Sequence, residues 1–326
     1  MMTADTHRRG VSQRSCLFSV IGLLSLSCLT ATALGQDQSQ PKLEKAVTQQ
    51  TVMTSDGWTI HFTYYQADGG ELTPVVMLLH GRGGNRLAYR TNLAKQLHDH
   101  GYAVAAVDLR MHGESRNPTE TTEGSSATSA DASNLRPADY VRMVTEDLEA
   151  VKGFLLKEHQ EKRLNIRKLG IVAADAMAPV ATTFALQDWT KIPYDDAPTL
   201  SARTPRGQDV RALVLISPDA TAPGMSTTKA LIELRRPELQ IGFMIAVGSK
   251  DTQDKGQAQK MYKQLTGLSI NKDRMYLQQY PYKLRGTDLL GKNLRVEDHI
   301  QVFLDKHLKE LDIPWQNRIP RYNRGQ

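Results

Sequence analysis

Five short runs in this chain are apolar at nearly every position, and they restrict the fold more than any other feature: Val75–Leu79, Ala103–Val107, Leu169–Ala174, Val210–Ile216 and residues 241–247. A strand that meets water on one face alternates apolar and polar residues. One that is apolar throughout is covered on both faces, which is the habit of parallel sheets. Between the runs lie stretches with helical spacing, at residues 87–100, 138–160, 176–187, 255–266 and 294–310. Strand and helix therefore alternate. The expected fold class is α/β, with a mostly parallel central sheet and helices on both faces. Two strands at 51–53 and 58–62, turned by Asp56-Gly57, precede the first run, and Met275–Tyr280 supplies a last strand. No internal repeat and no break in composition marks a second domain, so residues 49–312 read as one.

The ends read differently. Residues 1–35 have the make-up of a secretory signal peptide. Arg8, Arg9 and Arg14 form a basic start, an apolar stretch runs over 17–34, and two small-residue cleavage sites lie at its end, Ala31-Thr32-Ala33 and Ala33-Leu34-Gly35. The expected location is secreted, or periplasmic within a cell envelope. Both cysteines, Cys16 and Cys28, fall inside this leader. The processed chain is thus expected to hold no disulfide, no cysteine nucleophile and no thiolate metal site. Residues 36–48 read as a flexible entry, 116–137 as a surface insertion too rich in Ser, Thr and Gly to order itself, and 313–326 as a C-terminal tail. No apolar run after residue 36 is long enough to span a bilayer. The net charge of +6 is spread along the chain without a Lys/Arg block, so no nucleic-acid partner is expected. No metal-ligand spacing and no nucleotide-binding glycine pattern occurs, so no cofactor or metal is expected.

Four segments carry a further likeness. His80-Gly81-Arg82-Gly83-Gly84 follows the first buried run directly. Val107-Asp108-Leu109-Arg110-Met111-His112-Gly113-Glu114-Ser115 closes the second. Ala173-Ala174-Asp175-Ala176-Met177 leads the third into a helix, and Gly248-Ser249-Lys250-Asp251 follows the run at 241–247. Together they resemble the α/β-hydrolase superfamily, in its esterase, lysophospholipase and serine-aminopeptidase-like branch, over residues 50–312. The resemblance implies that Gly81, Arg82, Gly83 and Gly84 form the loop that lends a backbone N–H to an oxyanion hole. It implies an internal polar role for Asp108 and Arg110, with His112 and Ser115 outside the chemistry. It puts the acid of a catalytic triad at Asp251, the nucleophile elbow at Asp175, and the triad histidine at Arg285, with Lys283 as the alternative register. It also implies a minimal lid, because the segment from Pro218 to Gln240 is short.

Two of the three triad positions thus hold the wrong chemistry. Acyl transfer needs a hydroxyl and a neutral imidazole that takes its proton and returns it. A guanidinium stays charged near neutral pH and cannot act as that base. Loss of the serine or the histidine costs a serine protease on the order of 10⁶ in turnover. The expected protein is a catalytically inactive exported member of the superfamily that binds a small ligand or a protein in the old cleft. Asp175, Arg285 and Asp251 are expected to form an ion cluster with the guanidinium in the middle. Met177, where a glycine is usual, is expected to crowd the elbow. Two alternatives stand. One is an active hydrolase, either carboxylesterase- or serine-peptidase-like, or using Asp175 as nucleophile in the manner of dehalogenases and epoxide hydrolases. The other is an envelope scaffold.

Overall fold

The expected strands all form. The computed structural model describes residues 47–115, 135–267 and 272–324. The leader, residues 36–46 of the entry segment and residues 116–134 of the insertion lie outside the described residues, and so do the expectations that rest on them. In chain order the strands are β1 (Val47–Met53), β2 (Thr59–Tyr65), β3 (Val75–Leu79), β4 (Ala103–Val107), β5 (Leu169–Ala174), β6 (Val210–Ile216), a small hairpin of β7 (Thr221–Ala222) and β8 (Met225–Ser226), β9 (Gly242–Gly248) and β10 (Met275–Tyr280). Eight of them make one sheet in the order β1-β2-β4-β3-β5-β6-β9-β10. The β1–β2 and β2–β4 pairs are antiparallel, and every other neighbour is parallel.

Because both faces are covered, successive residues of one strand feed different cores. Val75, Met77 and Leu79 of β3 face α3 (Leu148–Gln160) and α4 (Ala178–Thr190), where Leu148, Val151, Leu155, Val180 and Phe184 meet them. Val76 and Leu78 face α1 (Leu93–Asp99) and α7 (Val296–Leu304), through Leu93, Leu97, Val296 and Ile300. Each fully buried Leu, Ile or Phe contributes about 1.5–3 kcal/mol.

Three helices differ from expectation. The stretch at 87–100 splits into a 3-10 turn, Arg86–Tyr89, and α1, because the Asn92 side chain takes the Leu93 N–H and starts a new helix. The stretch at 138–160 begins one residue earlier, as α2 (Pro137–Arg142), so the insertion read to 137 stops short of it. It passes through a widened π turn, Met143–Asp147, before α3. That turn carries Asp147 to the buried guanidinium of Arg110, which donates to it through Nε at 2.9 Å and Nη2 at 2.6 Å. Between β6 and β9 the chain holds an unforeseen helix, α5 (Thr227–Leu234), capped by the Ser226 hydroxyl. No described helix is long and apolar enough to cross a membrane.

The segment read as a tail is a docked strap. Asn165 and Arg167 donate to the carbonyls of Ile313 and Pro314 at 2.9 and 2.7 Å. Trp315 donates to the His159 carbonyl at 2.8 Å and packs its indole against that imidazole. Arg318 reaches inward to the carboxylate of Asp209 and the carbonyls of Pro205 and Gly207. Apolar patterning carries no trace of this strap, since its anchors are polar groups bonding main chain.

Candidate functional site

The site gathers at the C-terminal ends of β3, β5, β6 and β9. Parallel strands all end on the same edge there, so their following turns converge. Asp175 is the first residue past β5 and takes a left-handed φ of 34°. Asp tolerates this region better than most residues because its short polar side chain bonds locally. Met177 does not break the turn. Its side chain is wholly buried in the core on the α3/α4 face.

The Asp175 carboxylate is held by main-chain amides. Its Oδ1 accepts the Arg82 N–H at 2.8 Å and the Ala176 N–H. One amide comes from the loop after β3 and the other from the residue after the elbow. The first belongs to the loop that the resemblance implies lends an N–H to an oxyanion hole, and an N–H in the position of the second completes such a hole at nucleophile elbows. Among the described residues nothing bonds Oδ2, which lies against the backbones of Gly81 and Gly286. A Cβ on Gly286 would sit 2.6 Å from it, and one on Gly81 would overlap it. Glycine at both positions is what lets a carboxylate fit there.

Arg285 makes the second feature. Its Nη1 donates to Asp251 Oδ2 at 2.7 Å and its Nη2 to Asp219 Oδ1 at 2.5 Å. The guanidinium thus lies between two carboxylates, but the second is Asp219 and not the expected Asp175. Geometry explains the difference: Asp175 is already bound by two amides, whereas Asp219 faces Arg285 from the turn after β6. Burial works against the charge on Arg285, but the Asp251 hydrogen bond and the nearby carboxylates outweigh it and raise its pKa. Burial pushes the Asp219 carboxyl up, against the pull of Arg285. Asp251 also accepts the Gln253 N–H at 2.8 Å, and no described histidine bonds it. Lys283 is exposed and makes no bond to Asp251, so Arg285 is the residue beside the acid.

Asp219 lies in the short segment between β6 and β7, near Met225 and Leu231 in sequence. Met225 does line a cavity of about 370 Å³, with Leu186, Lys229 and Ile232, whereas Leu231 is core. The signal for Asp219 was present: it stands three residues past a buried strand, just as Asp251 stands three past β9.

The turn after β4 is internal, as expected. Asp108 binds the Arg86 guanidinium and accepts the backbone N–H groups of Arg86 at 2.6 Å and Glu114 at 3.0 Å. Arg110 is fully buried between Asp147 and Asp56. The Ser115 hydroxyl donates to the Asp108 carbonyl at 2.7 Å. His299 pairs with the Tyr280 hydroxyl at 2.9 Å.

His80 supports the loop from below. Its Nδ1 lies 2.8 Å from the Gly81 carbonyl and its Nε2 takes the Leu109 N–H at 3.3 Å, which fits a neutral ring with the proton on Nδ1. Burial, then the neighbouring His112, pull its pKa from 6.5 down to about 3. The folded state therefore binds fewer protons than the unfolded chain between pH 3 and 6.5, and the stability is present above 6.5 and lost as pH falls. His80 alone should cost about 1.4 kcal/mol per pH unit in that window. Asp147, held up from 3.8 to about 6 by burial, has the opposite sign between those two values and offsets part of the loss. Urea unfolding at pH 7 and pH 5 should show the loss, and His80→Asn should flatten the slope.

The chain belongs to the α/β-hydrolase fold family, whose sequence pattern matches residues 74–261. Solved structures agree on the fold. An esterase from Pyrococcus furiosus is 14% identical with a TM-score of 0.54, over 82% of this chain and 94% of its own. A dienelactone hydrolase from Anabaena variabilis is 16% identical with a TM-score of 0.54, over 81% of this chain and 99% of its own. No curated protein matches the sequence.

Proposed function

We propose that this chain is an exported, non-catalytic member of the family that uses its former active-site cleft to bind a small ligand or a protein. The observation that carries this reading is the pairing at Arg285. A guanidinium wedged between Asp251 and Asp219 stands where an imidazole would have to take a proton, and it has no proton-accepting form near neutral pH. The Asp175 carboxylate supports the same reading, since it fills the amide pair that would stabilise a tetrahedral intermediate. Export rests on the composition of residues 1–35.

A second reading has one observation in its favour. Asp175 Oδ1 is fixed by two amides while, among the described residues, nothing bonds Oδ2, which is the posture of a carboxylate nucleophile. Without a base the resulting ester would persist after one turnover. One experiment separates the two. The purified protein is treated with a fluorophosphonate, an alkyl halide and an epoxide, and its mass is read. The expected result is no adduct. A serine adduct would establish an ordinary hydrolase, and a lasting ester at Asp175 would establish the second reading.

A further inference from the structure

Away from the cleft, one lysine meets two carboxylates in the dark of the core. Lys152 on α3, Asp188 on α4 and Asp209 just before β6 have side chains 1%, 0% and 1% exposed. Lys152 Nζ bonds Asp188 Oδ1 and lies 2.6 Å from Asp209 Oδ2. The other Asp188 oxygen, Oδ2, accepts the backbone N–H groups of Asp209 at 2.7 Å and Val210 at 3.2 Å. An amine therefore touches a carboxyl group whose second oxygen is held by two amides, with another carboxylate beside the same amine.

These are the groups that amide formation requires. The nucleophile is fixed against its target, which replaces a collision by a local step. Two N–H donors point at the oxygen where negative charge would develop. A neighbouring carboxylate can carry a proton. Bulk water, which would favour the separated ions, is excluded.

We propose that Lys152 and Asp188 condense into an intramolecular isopeptide bond, with Asp209 as the proton carrier. The Nζ lone pair forms a bond to Asp188 Cγ, and the C=O electron pair moves to Oδ2, where the Asp209 and Val210 amides hold it. Two protons leave Nζ, one of them by way of Asp209 Oδ2, and both end on Oδ1. The Cγ–Oδ1 bond then breaks and one water departs. Ammonium and carboxylate thus become amide and water, with no other reactant. Burial pulls the Lys152 pKa down, but the two carboxylates outweigh it and raise it, so the first event is proton transfer to Asp209. Arg318 engages the opposite oxygen of Asp209 and leaves Oδ2 to this task. The product would fasten α3 to α4 in a processed chain that is expected to hold no cysteine.

The test is the mass of the purified full chain, with its first residue established by sequencing. The expected mass is lower than that of the sequence by one water. Trypsin should leave the bond after Lys152 uncut and release a branched peptide joining Lys152 to Asp188. Lys152→Arg, which keeps the charge and cannot condense, should restore the full mass, and so should Asp209→Asn. A chain at full sequence mass that trypsin cuts after Lys152 overturns the proposal. So does a water loss that maps to any other residue pair, and retention of the cross-link in Asp209→Asn removes Asp209 from the step.

Discussion

Replacing Asp175 by serine and Arg285 by histidine together is expected to raise hydrolysis of an activated ester by about 10²–10⁴-fold over the unaltered chain, the span that a positioned proton-transfer group contributes. The surrounding geometry suits this exchange. The Arg82 and Ala176 amides already converge on one oxygen, and the elbow already holds its left-handed turn. Asp251 is buried next to residue 285 and steadied by the Gln253 amide. Either substitution alone should leave the rate at background. A serine beside Arg285 has no base, and a histidine beside Asp175 faces a carboxylate that blocks the amide pair. A p-nitrophenyl acetate assay of the three variants checks this. A folded double variant that stays at background would sink the view that the cleft is a hydrolase centre missing two groups.

Arg285→Ala should destabilise the protein by about 3 kcal/mol, near the lower end of what breaking a buried ion pair costs. The lower end applies because Asp219 keeps 31% of its side chain in water and can be hydrated once its partner is gone. Asp251, with only 3% exposed, cannot. Asp219→Asn should therefore cost less than Arg285→Ala, and chemical denaturation of both variants reads the difference. Equal midpoints for Arg285→Ala and the parent would mean that the guanidinium holds nothing together.

Much of the fold was legible because it rests on patterns within a few residues. Continuous apolar runs announced the parallel strands, and Gly-rich turns at their ends announced where a site would form. The sharp turn at Asp175 was legible too, although Met177 argued against it; the core accepted the larger side chain without losing the turn. What stayed hidden depends on contacts between distant segments. Asp251 was legible as one partner of Arg285, but the second is Asp219 in place of the expected Asp175, and only geometry decides that. The split at Asn92 and the widened turn before α3 arise from polar side chains competing with the helix backbone, which apolar spacing does not report. The strap at 313–324 escaped for the same reason: Trp315 and Arg318 are anchored on backbone carbonyls and a carboxylate from much earlier in the chain.

Arg318 lies 109 residues after Asp209, the group it neutralises in the interior. During synthesis every strand of the sheet, β10 included, is made before this arginine. A nascent chain could assemble the sheet, yet it would carry an incompletely balanced charge where Asp209 goes under cover. Full charge balance in the interior is thus deferred until translation has passed the last strand.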